Sequence, residues 1–282
     1  MNKMEAKGNN LTKWVINISF IVISLVALFP LISLIISSFR PSTELMRDGI
    51  SFSVNWDTIS LDNYMYIFTQ AGEYWKWYGN SLIVTGLTIF LSLFFSSMVG
   101  YALALYSFRG KNIIFLLVLV IIMIPFEILM LPLYQLMIDL QLTDTYIGIM
   151  LPLIIAPIAV FFFRQYAMGL PKELMDAARI DGCTEYGIFF RIMMPLMLPS
   201  FAAMAILQGL TSWNNFLWPL LVVRSSDMFT LPIGLATLLT PYGNNYDILI
   251  AGSVMTVIPV VILFIFFQRY FVAGLTTGGV KG

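Results

Sequence analysis

Glu127 is the first residue that could do chemistry. It stands two positions after Pro125, in the middle of the apolar stretch 112–138. An ionisable group at that depth of a membrane helix is costly and faces protein or water. It reads either as a hydrogen-bonding partner for a neighbouring helix or as a wall of a solute path. A second group is Trp213, Asn214 and Asn215, followed by Phe216, Leu217, Trp218 and Pro219. Adjacent amides are expensive in hydrocarbon unless they are satisfied. Rings beside amides suit polyols, because flat sugar faces stack on Trp and an amide both donates and accepts. The same residues serve equally as interhelical glue with an interfacial aromatic belt.

A third group is polar and well punctuated. Pro171 and Glu173 suit the first turn of a helix. That helix is expected to run to about Asp181 and to stop at Gly182, a residue able to take positive φ. Thr184 is placed to cap a second short helix, and Pro195 and Pro199 close the segment. Ala177 and Ala178 offer a small-residue surface that a partner can approach closely. The pattern predicts a docking knob over about 168–198. The alternative, an amphipathic helix lying on a membrane, fits less well because the charges are mixed rather than basic.

What is absent narrows the chemistry further. The chain has no histidine and one cysteine, Cys183. Ser-His-Asp triads, histidine metal sites and cysteine zinc clusters are thereby excluded. No catalytic residue, metal site or bound cofactor is expected, and a membrane-embedded enzyme would need clustered acid, base or metal ligands. Net charge is zero, which gives no reason to expect nucleic acid.

The elements that must position these groups are membrane helices. Of 282 residues, 59% are hydrophobic and 11% charged, against roughly 25% charged in soluble domains. The mean hydropathy of +0.88 requires membrane lipid to cover the surface. Six stretches reach the roughly 20 apolar residues that span a bilayer: 14–38, 79–106, 112–138, 146–167, 199–223 and 247–271. The first is too long for a signal-peptide core and reads as a retained span. With the N-terminus inside, 11 Lys and Arg fall on the inner side and four on the outer, a positive-inside bias. Both termini and the 168–198 segment are then cytoplasmic, in a multi-pass protein of the cell (inner) membrane. The division is 1–13 as N-terminus, 14–271 as membrane domain and 272–282 as tail. Outer residues 39–78 carry Trp56, Tyr64, Tyr66, Tyr74, Trp75, Trp77 and Tyr78, as expected of an interfacial belt. Pro30, Pro125, Pro132, Pro152, Pro157, Pro219 and Pro259 each remove a backbone donor. Each proline marks either a packing kink or a cavity lining.

The 168–198 segment resembles the signature loop of ABC-importer permeases: Glu-Ala-Ala, three residues, Gly, then Ile-x-Leu-Pro. Here Asp176, Ala177, Ala178 and Gly182 are followed by Ile192, Met193, Met194 and Pro195. Asp176 replaces the usual Glu, and Met194 the usual Leu. Asn80-Ser81, the run from Tyr101 to Ala104, Phe108 to Lys111, Leu131 to Tyr134, Trp213-Asn214 with Pro219, and the tail from Gln268 are similar to the carbohydrate-uptake branch. The type is the smaller permease of maltose and multiple-sugar systems.

That resemblance implies an all-α polytopic fold of six transmembrane helices with a cytoplasmic coupling loop. It implies a second permease, two ATPase subunits and an extracytoplasmic sugar-binding protein as partners, with ATP and Mg held by the ATPase. Glu173, Asp176, Ala177, Ala178, Asp181 and Gly182 would couple to the ATPase. Glu127, Trp213, Asn214 and Asn215 would line the substrate path, and Tyr242, Gly243, Asn244 and Asn245 would touch the binding protein. The chain has no P-loop of its own, since Val280 stands where the lysine must be after Gly274 to Gly279. A permease for a non-sugar solute is the nearest rival. An ion-coupled carrier is more distant, with Glu127 its one coupling candidate.

Overall fold

The computed structural model describes residues 3–49, 56–240 and 243–279, with side chains over 12–47, 49, 56–239 and 245–269. Tyr242 and Val280 lie outside the described residues. In chain order the helices are α1 (Lys3–Ser37), α2 (Ser42–Asp48), α3 (Asp62–Thr69), α4 (Gly72–Leu105), α5 (Lys111–Ile122), α6 (Phe126–Asp139) and α7 (Tyr146–Met150). They continue with α8 (Pro157–Met168), α9 (Glu173–Ile180), α10 (Glu185–Ile188), α11 (Met194–Leu196), α12 (Leu198–Trp213), α13 (Leu217–Val222), α14 (Leu231–Thr237) and α15 (Tyr246–Gly279). The short strands β1 (Leu239–Thr240) and β2 (Gly243–Asn244) pair antiparallel.

Among the described residues, three helical segments are long and apolar enough to cross a membrane: Thr12–Ser37, Gly72–Leu105 and Tyr246–Arg269. Three bent pairs, each taken as one span, bring the number to six: α5 with α6 at 103°, Tyr146–Leu153 with α8 at 45°, and Glu185–Leu196 with α12 at 77°. The prolines divide accordingly. Pro125 caps α6 and Pro157 opens α8, each at a break, while Pro30, Pro132 and Pro259 sit inside continuous helices.

Contacts divide the chain into two compact units, Met1–Gly72 with Thr237–Met255 and Glu73–Ala236 with Thr256–Gly282. In the first, α1 is exposed all round from Thr12 to Phe29, as befits a helix apolar on every face. Its end is tied down by polar groups. The Asn63 amide donates to the carbonyls of Ser38 (2.8 Å) and Arg40 (3.0 Å). Arg40, 1% exposed, donates to Glu44 (3.2 Å) and to the Gly49 carbonyl (3.3 Å). The described part of 39–78 is therefore more than an interfacial belt: it carries α2, α3 and the first residues of α4. Trp56 is open, but Tyr74 and Trp77 are buried. The aromatic count could not separate belt from core.

In the second unit α4 carries a buried stripe of small polar residues, Thr85, Thr88, Ser92, Ser96, Ser97 and Gly100. Its other side is Leu82, Ile83, Leu87, Phe90, Phe94 and Phe95, all exposed. Small residues let helices approach closely. A Cβ on Gly100 would lie 2.7 Å from that of Phe163 and 2.8 Å from the Val160 carbonyl. Gln208 donates to Ser92 Oγ at 3.2 Å, which fixes α12 against the same stripe.

The start of α4 holds the segment before α14. The Asn80 amide donates to the carbonyls of Asp227 (2.7 Å) and Phe229 (2.9 Å), and its oxygen accepts from the Tyr146 hydroxyl (2.6 Å). Ser81 Oγ accepts from the Leu231 N–H at 2.7 Å. Trp77 packs onto Gly234, where an added Cβ would meet the indole at 2.0 Å.

Candidate functional site

Two of the span breaks and the end of α12 meet at one place. At Pro125 the chain loses a donor, α5 ends, and α6 leaves at a steep angle with Glu127 in its first turn. Before α8 a 3-10 turn (Leu151–Leu153) carries Pro152, and Pro157 opens the next helix. α12 ends at Trp213, and the Asn214 side chain donates back to the Leu210 carbonyl at 2.9 Å. Residues 214–216 are non-helical before α13. The breaks before α6 and α8 and the non-helical stretch after α12 border a cavity of about 580 Å³, lined among others by Glu127, Pro157, Thr211, Asn214, Asn215 and Phe216. Irregular backbone at membrane depth persists only where it is buried in protein or lines a wet cavity. The cavity supplies that setting.

Three of the four residues expected on the substrate path thus come together. Trp213 does not join them. It is 5% exposed, its indole N–H donates to the Thr256 carbonyl at 3.1 Å, and its ring meets Tyr78 edge-on at 5.7 Å. It borders a different, largely apolar groove of about 720 Å³ with Leu82, Leu263 and Phe266. α12 ends at Trp213, which is held toward Thr256 and Tyr78, and the non-helical residues after it turn to the cavity, with Asn214 also bordering a small pocket beside Trp213. Gln208 and Thr211, two turns and one turn ahead of Asn215, also line the cavity. The sequence reading missed both, although their spacing on α12 would have found them.

The second site is the knob. α9 ends at Ile180, Gly182 turns the chain with φ of 79°, and Thr184 caps α10 by accepting from the Gly187 N–H at 3.1 Å. A π-helical turn, Phe189–Met193, and α11 carry the chain on to α12. Met175 and Ala178 point inward and join Ile188, Phe189, Met193 and Met197 in a core shared with Phe163 and Tyr101. This corrects the expectation for Ala178. It is 4% exposed and presents no surface to a partner; its small size lets α9 sit close to its own chain. Glu173, Asp176, Ala177, Asp181 and Gly182 are exposed.

Residues that the sequence reading did not name complete the knob. The Arg179 guanidinium donates to Asp176 at 3.0 Å and to both oxygens of Glu185, at 2.7 and 3.2 Å. The Tyr106 hydroxyl, at the end of α4, donates to the same Glu185 carboxylate. The two short helices are clasped across the Gly182 turn and anchored to α4. Ile180 is 86% and Tyr186 70% exposed, so the outer face carries two large side chains that only a partner would cover.

A third polar cluster lies near the end of α6. Asp144, in left-handed backbone at φ 59°, accepts from the N–H groups of Arg224 (2.9 Å) and Ser225 (3.0 Å) and from the Ser225 hydroxyl (3.0 Å). Burial pushes its carboxyl up, but these donors outweigh burial and leave it below the usual range. Of the residues expected to meet a binding protein, Gly243 and Asn244 form β2, and Asn245 is exposed with its N–H on the Leu238 carbonyl at 3.3 Å.

A membrane-spanning, predominantly helical chain with broken spans around a cavity, and with a clasped helical knob, is a transporter subunit by architecture. Residues 92–277 match the family of inner membrane components of binding-protein-dependent transport systems, and the chain belongs to that family. It is 71% identical over 279 residues, 99% of this chain and 100% of the relative, to the arabinooligosaccharides transport system permease protein AraQ of Halalkalibacterium halodurans. AraQ of Bacillus subtilis is 59% identical over 93% of this chain and 94% of the relative. The lactose transport system permease protein LacG of Rhizobium radiobacter is 33% identical over 94% and 96%. One solved structure, a bacterial ABC transporter involved in the import of the acidic polysaccharide alginate, shares the fold. Its TM-score is 0.81 at 22% identity, over 94% of this chain and 98% of that one. The chain is thus a permease subunit of an ABC importer and not an enzyme; the ATPase is a separate subunit. Such a permease works with a partner permease, an ATPase and a substrate-binding protein.

Proposed function

We propose that the chain forms half of the pore of an importer for arabinose oligosaccharides. A second, different permease forms the other half, two ATPases dock on the cytoplasmic side, and an extracytoplasmic binding protein delivers the sugar. The observation that carries the reading is the cavity where two span breaks and the end of α12 meet, lined by a carboxylate and side-chain amides that can exchange hydrogen bonds with hydroxyls. The substrate class follows the AraQ relatives, which match over nearly the full length. Glu127, Asn214 and Asn215 are the path residues of this chain; Trp213 supports them from behind.

Coupling belongs to the clasped knob. A protrusion that transmits motion must not absorb it, and the Arg179 clasp with its apolar seat supplies that stiffness. Glu173, Asp176, Ala177, Asp181 and Gly182 face the ATPase, and Ala178 seats the helix. Tyr242, Gly243, Asn244 and Asn245 meet the binding protein. Residues 1–13 and 272–282 are cytoplasmic ends around the permease domain 14–271. Labelling native Cys183, which is exposed, tests the sidedness: the thiol should react only from inside, and a cysteine at position 226 only from outside.

Function is tested with the four kinds of subunit in proteoliposomes. Arabinotriose should drive both uptake and ATP hydrolysis. Stimulation by an amino acid or peptide, and by no sugar, would make it a permease for a non-sugar solute. Uptake driven by an ion gradient without ATP would make it an ion-coupled carrier.

A further inference from the structure

The cavity has an uneven charge. Among the described residues that line it, Glu127 is the one charged side chain; the remaining polar groups are amides and a hydroxyl, from Gln208, Asn214, Asn215 and Thr211. The starts of α6 and α8 also border it. Helix starts are natural anion sites, since their N–H groups are unpaired and the backbone dipole is positive there. Transporters use such broken helices to hold substrate carboxylates. Here α6 already has the Glu127 carboxylate in its first turn, and α8 begins with Pro157, which leaves its start one donor short.

We infer that Glu127 makes this cavity a charge filter that passes uncharged glycans and rejects uronate-containing ones. The inference deepens the proposed sugar path and rests on it. A carboxylate accepts hydrogen bonds and donates none, so it pairs with the hydroxyls of a neutral sugar. A sugar carboxylate brought into the same space meets a like charge, with no cation among the described residues of this chain that line it. At separations of several ångströms, in the intermediate dielectric of a partly wet site, that repulsion is worth about one to two powers of ten in occupancy. The polar groups left over, amides and a hydroxyl, suit ring and exocyclic hydroxyls of either class, so discrimination falls on the carboxylate. The filter is a property of this permease and acts after any choice made by the binding protein.

The test uses the complete transporter in lipid nanodiscs, without the binding protein, so that only the membrane site is read. Equilibrium binding is measured for a neutral arabinose trimer and for an oligouronate trimer made from alginate. Wild type should favour the neutral trimer by roughly tenfold or more. Glu127→Gln keeps the shape and should raise the ratio of acidic to neutral binding by about the same factor. Glu127→Lys should raise it further, and co-purification of all subunits checks assembly of both variants. An acidic-to-neutral ratio unchanged in both assembled variants, or equal binding of both trimers by wild type, overturns the filter. If the intact system with its binding protein still imports arabinotriose, the proposed function survives that result. If it imports no glycan at all, the sugar reading falls and the filter with it.

Discussion

Ala177 and Ala178 are neighbours in sequence and opposites in space, and the contrast separates seating of the knob from docking of the ATPase. Ala178 is 4% exposed and packs among Met175, Ile188, Phe189 and Met193, while Ala177 faces out. Replacing Ala178 by Leu adds three carbons to a core already filled by Met and Phe. Overpacking of this kind costs about 1–3 kcal/mol. Since 1.4 kcal/mol is a factor of ten, the unseated population of α9 should rise by roughly one to two orders of magnitude. Replacing Ala177 by Leu places the same carbons on an open surface, where substitutions stay within about 0.5 kcal/mol. Hydrogen exchange of the 173–193 amides in the purified permease should therefore rise for Ala178→Leu and stay at the wild-type level for Ala177→Leu. Pull-down of the ATPase should fall for both, for different reasons: a loosened knob in one, a blocked surface in the other. Wild-type exchange in Ala178→Leu would refute the inward packing. Full ATPase retention in Ala177→Leu would remove that face from the interface.

Gly182 has φ of 79° and nothing within 4 Å of an added Cβ, so its constraint is backbone strain alone. Gly182→Asn, which tolerates left-handed backbone, should retain ATPase binding in the same pull-down, whereas Gly182→Val should lose it; equal binding would show that the turn does not matter. Asn80→Ala removes the partner of two carbonyls and a hydroxyl and should destabilise the permease by about 1–3 kcal/mol, read as a lowered thermal midpoint in detergent. An unchanged midpoint would count against the Asn80 anchor. The carboxyl of Asp144 is held below its ordinary value, so its contribution is present above the unfolded pKa of about 3.9 and is lost as pH falls through the lower folded value. Asp144→Asn should lower stability at neutral pH and flatten the loss below about pH 4, in acid titrations of thermal stability; a parallel curve would exclude Asp144 as the group responsible.

What the sequence makes legible follows from the range of the forces. Hydropathy, turn and cap chemistry are local, and they predicted six spans, the Gly182 turn and the Thr184 cap; of the seven prolines they marked alike, Pro125 and Pro157 stand at breaks while Pro30, Pro132 and Pro259 do not. The inward turn of Ala178 depends on Phe163 and Tyr101, far away in the chain, and no local pattern reports it. The bond from Tyr106 to Glu185 crosses 79 positions. Trp213 was assigned to the path because rings suit sugars, yet its direction is set by the Thr256 carbonyl on another helix. Asn80 was visible as part of a motif, but its work as an anchor for Asp227 and Phe229 emerges only once the segment before α14 is in place. The 103° bend at Pro125 exceeds what a single missing donor dictates.

The hydroxyl stripe of α4 bears on how the protein is made. Its outward face of Leu, Ile and Phe is apolar enough for the helix to partition into the bilayer alone, during synthesis and ahead of α8 and α12. The face bearing Ser92, Ser96 and Gly100 finds its neighbours only when those later helices arrive. Insertion and assembly are therefore governed by different sides of one helix. A bulky residue at Gly100 would pass the first stage, since it makes the segment more hydrophobic. It would then fail at the second, against Phe163 and the Val160 carbonyl, and leave an inserted but unpaired chain for membrane proteases to clear.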